Sequence, residues 1–215
     1  MGQPCDIPST MSDSAQPLEG QRGKPEHHVR EQIINAANEH FRHFGYAKTT
    51  VSDLAKAIGF SKAYIYKFFD SKQAIGESIC SHCLVTLREE AAAEVAGATS
   101  AADRLRRLYK SLFTISVSMF FTERRLYDIA AHAASEKWPS SVSHQAAILE
   151  IVKDIILEGR EKGEFERKTP LDETCRAICL AMHQFVDPLM LQHNLDTPVE
   201  AVTEVSNLVL RSLAP

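Results

Sequence analysis

The sequence predicts an all-α protein with a small N-terminal domain followed by a larger helical one. Beyond residue 26 apolar residues recur at helical spacing almost everywhere, while stretches that alternate as a strand would are short. Near the N-terminus, two short helical segments are joined by a tight turn. The chain has 215 residues and 44% of them are apolar, which is enough to bury a core.

The first residues differ in composition from the rest of the chain. Residues 1–25 are rich in Ser, Pro, Gly and Gln and contain few large apolar groups, so we expect a disordered tail. There is no run of about 18 apolar residues and no apolar signal segment, which predicts a cytoplasmic protein with no membrane partner. Five cysteines, an odd number, fit a reduced compartment better than a disulfide framework.

Three helices are predicted in the N-terminal domain. The first covers residues 26–44, with its apolar residues on one face, and Gly45 provides a left-handed cap. Thr50 is a suitable N-cap for a second helix at residues 51–58. Ser61 then caps a third helix.

The second and third helices form a predicted helix-turn-helix around Gly59. Ile65, Phe68 and Phe69 share one face of the third helix and would hold it to the first two, leaving tyrosines and lysines on an outward face. The second helix of such a motif fits the major groove of DNA. Residues 22–72 contain nine Lys or Arg and five Asp or Glu, a net +4 within a chain of −4 overall. This local positive charge favours a phosphate-backbone partner.

Six further helices are predicted in the C-terminal part. They lie at residues 71–95, from Leu105 through Phe120, and at residues 123–135, 141–162, 172–191 and 198–213. Thr197, Pro198 and Glu200 suit a capping box at the start of the last one. The last two helices carry apolar residues on more than one face, which predicts a homodimer that buries them in a four-helix bundle.

A long ordered pattern runs through residues 29–75. It consists of Phe44-Gly45-Tyr46, Thr49 to Ala55, Ile58 to Lys62, Tyr66 to Phe69 and Ser71 to Ile75. This pattern resembles the tetracycline-repressor (TetR) family of transcriptional regulators. The resemblance implies a helix-turn-helix DNA-binding domain at residues 26–72 and a helical effector-binding and dimerisation domain at residues 73–215. It also implies a homodimer that binds a small effector. We expect a repressor that a small apolar or amphipathic effector releases from a palindromic operator.

Applied residue by residue, the resemblance places Thr50, Tyr66 and Lys72 against phosphates and the start of the third helix in the groove. The predicted DNA-binding residues are Thr50, Ser61, Lys62, Ala63, Tyr64, Tyr66, Lys67 and Lys72. The family pattern often has glycine where Ala63 stands and a small residue where Tyr64 stands. The operator sequence therefore does not follow from the resemblance.

Aromatic and methionine side chains in the later helices are usually core residues, and only the resemblance favours a ligand pocket among them. The predicted ligand-binding residues are Phe113, Phe120, His132, Trp138, Met182, His183 and Phe185. The aromatic residues would supply contact area, and His132 or His183 would orient one polar group of the effector.

Two cysteine pairs, Cys80-x-x-Cys83 and Cys175-x-x-x-Cys179, leave open a regulator that senses thiol chemistry or a metal ion. We interpret them as packing residues, because cysteines at this helical spacing behave as small buried hydrophobic groups. The sequence contains no phosphate-cradling glycine motif, nucleophile elbow or metalloprotease histidine pair, so we predict no catalytic residue, cofactor or metal. A helical enzyme and an interaction module without DNA binding are the less favoured alternatives.

Overall fold

The computed structural model describes residues 23–196 and 199–215, and every regular element in them is an α-helix. The predicted all-α fold is confirmed. The helices are α1 Gly23–Phe44, α2 Val51–Ile58, α3 Lys62–Ile65, α4 Lys72–Ala96, α5 Ala101–Thr122, α6 Arg124–Ser135, α7 Pro139–Glu161, α8 Leu171–Val186, α9 Pro188–Leu191 and α10 Val199–Ser212. Nearly all of the predicted tail, and the cap predicted at Thr197 and Pro198, lie outside the described residues. Within the described ranges, none of the helices combines the length and apolar character that crossing a bilayer requires.

Helices α1 to α3 pack around a first hydrophobic core. Ile33 and Phe41 of α1, Leu54 of α2 and Ile65 of α3 are fully buried in it. The core does not end with these helices, since side chains of α4 and α6 complete it. They are Ile75, Ile79, Cys80, Leu126, Ile129 and Ala133. The N-terminal unit therefore shares its core with the next part of the chain.

The start of α2 is fixed by its own first turn. The Thr50 side chain accepts a hydrogen bond from the Asp53 N–H at 3.2 Å, and Asp53 Oδ2 accepts one from the Thr50 N–H at 2.9 Å. At the other end Gly59 has a φ of +79°, a left-handed conformation that side chains resist. The predicted second helix is confirmed at both ends.

The third helix is shorter than the sequence predicts. After Ile65 the chain tightens into a turn, in which the Phe68 N–H donates to the Ile65 carbonyl at 2.9 Å. The Phe68 carbonyl then accepts a hydrogen bond from Arg30 Nη1 of α1 at 2.9 Å. In a longer α3 this carbonyl would instead accept a hydrogen bond from an N–H group of the same helix.

A second hydrophobic core holds the C-terminal helices together. It contains Leu105, Leu108, Leu112 and Phe113 of α5, Val152, Ile155 and Ile156 of α7, Cys175, Ile178, Met182 and Phe185 of α8, and Val202 of α10. Helix α4 reaches this core with Leu87, Ala91 and Val95. Because α4 contributes to both cores, it connects the two units.

The helix predicted at residues 172–191 is interrupted. Helix α8 ends at Val186 and a short helix α9 begins at Pro188. Proline has no N–H to continue a helical ladder, and it disfavours a helical conformation in the residue before it. Asp187 is extended and its Oδ1 accepts from the N–H groups of Leu189 and Met190 at 3.0 and 3.1 Å. The carboxylate therefore caps α9.

Candidate DNA-binding surface and ligand cavity

The outward face of α3 and the following turn carries exposed polar and basic groups. Lys62, Ala63, Tyr66 and Lys67 are all exposed. The Lys62 Nζ lies 5.8 Å from the centroid of the Tyr66 ring, and the Lys67 Nζ lies 5.6 Å from the Tyr64 ring. These two ammonium groups are thus positioned beside aromatic rings but stay accessible to an anionic partner.

Three other predicted DNA-binding residues also have structural roles. Tyr64 is half-buried, with its ring edge-to-face between Phe60 at 5.1 Å and Phe68 at 5.3 Å. The Ser61 hydroxyl accepts from the Tyr64 N–H at 3.1 Å and so caps α3. The exposed Thr50 hydroxyl donates to Asp53 at 2.7 Å, and this bond lowers the pKa of the Asp53 carboxyl.

Lys72 differs from the other predicted lysines because it is already engaged. Its ammonium donates to the carbonyl of Tyr46 at 3.0 Å and lies 4.3 Å from the Tyr46 ring centroid. Partial burial lowers the pKa of Lys72. Lys72 therefore attaches the start of α4 to the segment between α1 and α2.

An apolar cavity of about 300 Å³ lies among helices α4 to α8 and the start of α9. Its apolar wall is formed by Ile79, Leu84, Leu87, Met119, Leu126, Ile129, Ile148 and Val186. Pockets for small organic ligands are typically concave, largely apolar and of about this size or larger. The cavity is therefore the candidate effector site.

Among the seven predicted ligand-binding residues, His183 lines the cavity and the structure places the other six outside it. Phe113, Met182 and Phe185 are buried in the second core, where the first and last are in edge-to-face contact at 6.1 Å. Phe120 lies under the guanidinium of Arg124. The ligand-binding role of these four stays a prediction without support from this cavity.

His132 and Trp138 lie in a different aromatic cluster. Their ring centroids are 5.4 and 5.5 Å from that of Tyr46, which leads from α1 to α2. The two residues therefore pack the C-terminal helices against the N-terminal unit and do not face the cavity.

Sequence reasoning did not identify most of the cavity wall. Ile79, Leu126 and Ile129 have the spacing of ordinary core residues, and they do also belong to the first core. Their contact with the cavity depends on how α4 and α6 cross α5, α7 and α8, which helical periodicity does not encode. One available signal was His144, which lies one helical turn before the buried Ile148 on α7.

Several polar groups of the cavity wall contact other protein groups. The Tyr127 hydroxyl donates to the Pro188 carbonyl at 2.8 Å, and the Tyr109 hydroxyl lies 3.8 Å from Cys179 Sγ. Burial raises the pKa of both tyrosines. His144 Nδ1 lies 2.9 Å from Arg88 Nη1, and burial together with the Arg88 charge lowers the pKa of His144 to about 4. The imidazole is therefore neutral at physiological pH.

The cysteine pairs sit in apolar surroundings. Cys80, Cys83 and Cys179 line the cavity and Cys175 is buried in the second core. Burial raises the pKa of all four thiols, that of Cys80 to about 11. Protonated thiols are weak nucleophiles and weak metal ligands. In the described ranges, no three His, Cys, Asp or Glu side chains come together as a metal site would require.

Two family models match the sequence. Residues 33–79 match bacterial regulatory proteins of the tetR family, and residues 101–205 match the tetracyclin repressor-like C-terminal domain. The chain belongs to the TetR family. It is thus a transcriptional regulator of a DNA-binding family, and neither match points to an enzyme.

Solved structures of TetR-like regulators share the fold. The transcriptional regulator FadR from Bacillus subtilis, solved in complex with stearoyl-CoA, is 20% identical and covers 84% of this chain and 97% of its own, with a TM-score of 0.64. A TetR/AcrR-family regulator from Thermobifida fusca is 25% identical and covers 85% of this chain and 96% of its own, with a TM-score of 0.59. No curated protein matches the sequence.

Proposed function

We propose that this TetR-family protein is a cytoplasmic, ligand-responsive repressor, and that a small apolar or amphipathic effector in the cavity releases it from a palindromic operator. The proposal rests on one observation: some side chains belong both to the cavity wall and to the core of the N-terminal unit. Ile79 and Cys80 of α4 and Leu126 and Ile129 of α6 line the cavity and also belong to the core of the N-terminal unit. A ligand that displaces these side chains therefore acts directly on the packing of α1 to α3.

Helix α6 is joined to α1 by polar contacts as well. Arg42 near the end of α1 forms an ion pair with Glu123 at the start of α6, with Nη1 and Oε1 2.7 Å apart. The guanidinium of Arg125 lies against the backbone at Gly45. A shift of α6 would thus be transmitted to the end of α1.

Helix α4 is tightly packed against the N-terminal unit at Gly76. A Cβ added at Gly76 would lie 2.9 Å from the Tyr46 ring and 3.1 Å from the Trp138 ring. Close-packed interiors transmit displacements because their atoms have no voids to fill. If a ligand in the cavity makes α4 pivot, helices α1 to α3 would therefore move together with α4.

Such a pivot is enough to prevent DNA binding by a dimer. Two recognition helices must enter successive major grooves about 34–36 Å apart, so a small change in their separation stops them from docking together. Linkage requires the reverse effect as well. If the effector lowers the affinity for DNA by some factor, bound DNA lowers the affinity for the effector by the same factor.

The exposed face of α3 is the proposed DNA-reading surface. Lys62, Ala63, Tyr66 and Lys67 would contact the major groove and its phosphates, and Thr50 would contact a phosphate at the start of α2. Ser61 and Tyr64 would contribute mainly by holding this turn in place. Lys72 could meet a phosphate only by sharing or leaving its hydrogen bond to Tyr46.

The proposed dimer forms through α8 and α10. Leu180 of α8 and Leu208 of α10 are 76% and 61% exposed in the single chain, although both are large apolar side chains. Val202, which the sequence also suggests for this interface, is fully buried in the second core of its own subunit. Leu180 and Leu208 are therefore the residues that a partner subunit would cover.

A binding titration tests the proposed function. The protein would first be shown to shift DNA from the region upstream of its own gene, and the site would be located by footprinting. A panel of small apolar compounds would then be titrated into the protein with and without this DNA. We expect at least one compound that releases the DNA and binds the free protein more tightly than the complex. Equal affinities in the two titrations, for every compound that enters the cavity, would contradict the repressor-release mechanism.

A further inference from the structure

The imidazole of His144 has a defined tautomer. Its Nδ1 is 2.9 Å from Nη1 of Arg88. A guanidinium can donate hydrogen bonds but cannot accept them, so Nδ1 must be the acceptor and the ring proton must be on Nε2. His144 therefore presents a fixed N–H donor on the edge of the ring away from Arg88.

His144 is part of the cavity wall, whereas Arg88 is not. Because Nδ1 is occupied by Arg88, Nε2 is the ring nitrogen left for a ligand in the cavity. In the described part of the chain Nε2 has no hydrogen-bond partner, and it is also absent from the buried polar atoms that are cut off from solvent. A donor that is accessible, neutral and without a protein acceptor is available to a ligand.

We propose that the Nε2–H of His144 binds the carbonyl oxygen of an uncharged, otherwise apolar effector, such as a ketone, ester or amide. This inference rests on the proposed function of the same cavity and assigns its ligand class. The acceptor is oriented by a hydrogen bond at one point of the wall, and the apolar wall around it holds the rest of the molecule.

The charges around the cavity favour a neutral ligand over a carboxylate. The Asp187 carboxylate is part of the wall, and its negative charge opposes a second anion in the same space. Arg88 does not line the cavity, and His183, which does, has its Nε2 3.8 Å from Asp187 Oδ2. A carboxylate would lose its hydration without gaining a direct ion pair, which is costly.

The cavity volume of about 300 Å³ lies at the small end of the range for ligand pockets. Small probe molecules are therefore suitable for testing it. Benzylacetone, butylbenzene and hydrocinnamate have nearly the same size and shape, and they differ at the group that would meet His144.

Binding of these three probes to the DNA-free protein tests the ligand class. By calorimetry we expect benzylacetone to bind roughly 5–10-fold more tightly than butylbenzene, the effect of one net hydrogen bond. Hydrocinnamate should bind more weakly than benzylacetone. Tighter binding of hydrocinnamate, equal binding of benzylacetone and butylbenzene, or no binding of benzylacetone would each overturn the proposal.

Two variants assign the effect to His144. In His144→Leu, which keeps the volume but has no donor, the preference for benzylacetone over butylbenzene should disappear. In His144→Gln, whose amide can place an N–H near the position of Nε2, the preference should be retained in part. A preference that survives unchanged in His144→Leu would assign the acceptor to another residue and overturn the inference.

The tautomer can be measured without any ligand or DNA. Nitrogen-15 NMR of the imidazole should show the proton almost entirely on Nε2 at neutral pH, and Arg88→Met should increase the share of the Nδ1–H tautomer. A proton on Nδ1 in the wild-type protein would overturn the inference. Because these measurements use the free protein, they can succeed even if DNA release fails, so failure of the inference and failure of the proposed function are distinguishable.

Discussion

Lysines that look equivalent in the sequence have different surroundings in the folded chain. Lys62 and Lys67 are exposed beside tyrosine rings, while Lys72 donates to the carbonyl of Tyr46, 26 residues earlier. The sequence pattern predicts all three as DNA contacts, with Lys67 and Lys72 at phosphates. It contains no information about the Tyr46 carbonyl, since that contact depends on how α4 crosses the segment after α1.

Replacing these lysines separately should give two different phenotypes. Lys67→Ala should weaken binding to all DNA sequences alike and reduce the salt slope by about one unit, with the free energy of unfolding unchanged. Lys72→Ala should lower the free energy of unfolding by about 1–3 kcal/mol, because it removes a charged hydrogen bond. The measurements are DNA titrations at several salt concentrations and urea denaturation.

A lysine on the opposite part of the molecule provides the control. Lys168 is exposed in the loop before α8, and Lys168→Ala should change neither quantity. If Lys67→Ala leaves the salt slope at the wild-type value, Lys67 does not contact a phosphate.

His144 should make the stability of the protein depend on pH. Its pKa falls from 6.5 to about 4 on folding, so between these values the unfolded chain binds more protons than the folded chain. The stabilisation is present above pH 6.5 and is lost as the pH falls toward 4. From pH 7 to pH 5 the loss should be about 2 kcal/mol.

Urea denaturation at the two pH values measures this loss. His144→Leu is the matched comparison, because the other histidines of the chain are unchanged in it. The variant should lose about 2 kcal/mol less than the wild-type protein over the same interval. An identical pH dependence in both proteins would show that His144 is not shielded from protonation.

At the scale of the helices, the sequence predicts most elements because their caps and apolar spacing are local. The Thr50 cap of α2 and the turn at Gly59 are read directly from residue type. The break at Asp187 was missed although Pro188 indicates it, because apolar spacing continues across the break. The early end of α3 was missed because the apolar spacing of Ile65, Phe68 and Phe69 continues through the turn that follows Ile65.

The close approach of α4 to the N-terminal unit should be sensitive to one methyl group. Gly76→Ala would force the new Cβ against the rings of Tyr46 and Trp138, and overpacking of this kind costs about 1–3 kcal/mol. We expect a corresponding loss in the free energy of unfolding, measured in urea. The affinity for DNA should change as well, since α1 to α3 move with α4.

Gly97→Ala is the matched control for this prediction. The Cβ added there would contact only the end of the flexible Arg107 side chain, at 3.1 Å. Its stability should stay within about 0.5 kcal/mol of the wild-type value. If both variants are equally stable, α4 has room to move against Tyr46 and is not a rigid connection.

At the scale of the whole molecule, the sequence predicts two helical units. It does not predict that side chains of the N-terminal core also line the cavity. The surplus of apolar residues on α8 and α10 predicts that a partner subunit covers some of them. In the single chain Leu208 is exposed, and so is Leu180, which also lines the cavity. The surplus does not identify which ones a partner covers, and Val202 is buried internally. The cavity was not located either, since cavity wall and core use the same residue types.

The dimer can be tested at the two exposed leucines. Leu180→Asp combined with Leu208→Asp should give a folded monomer that binds a half-site weakly, because each change places a charge in the proposed interface. Sedimentation measures the assembly state and circular dichroism the fold. Val142→Asp, at another exposed apolar position on α7, should leave the assembly unchanged.

A double variant that sediments as the wild-type protein does would place the interface elsewhere. Loss of helix content in the double variant would instead show that the two leucines support the fold of the single chain. Either result contradicts the proposed role of these side chains.

In α3 and the turn after it, the side chains that support the fold differ from the side chains that are proposed to contact DNA. Ile65 and Phe69 are buried and Ser61 supplies the cap, whereas Lys62, Ala63, Tyr66 and Lys67 have little contact with the rest of the chain. Substitutions at these four exposed residues should therefore have little effect on the free energy of unfolding. If these four residues read DNA as proposed, a new operator preference should be obtainable at these positions without changing the C-terminal helices. Tyr64 is the exception, because its packing between Phe60 and Phe68 ties any substitution there to stability.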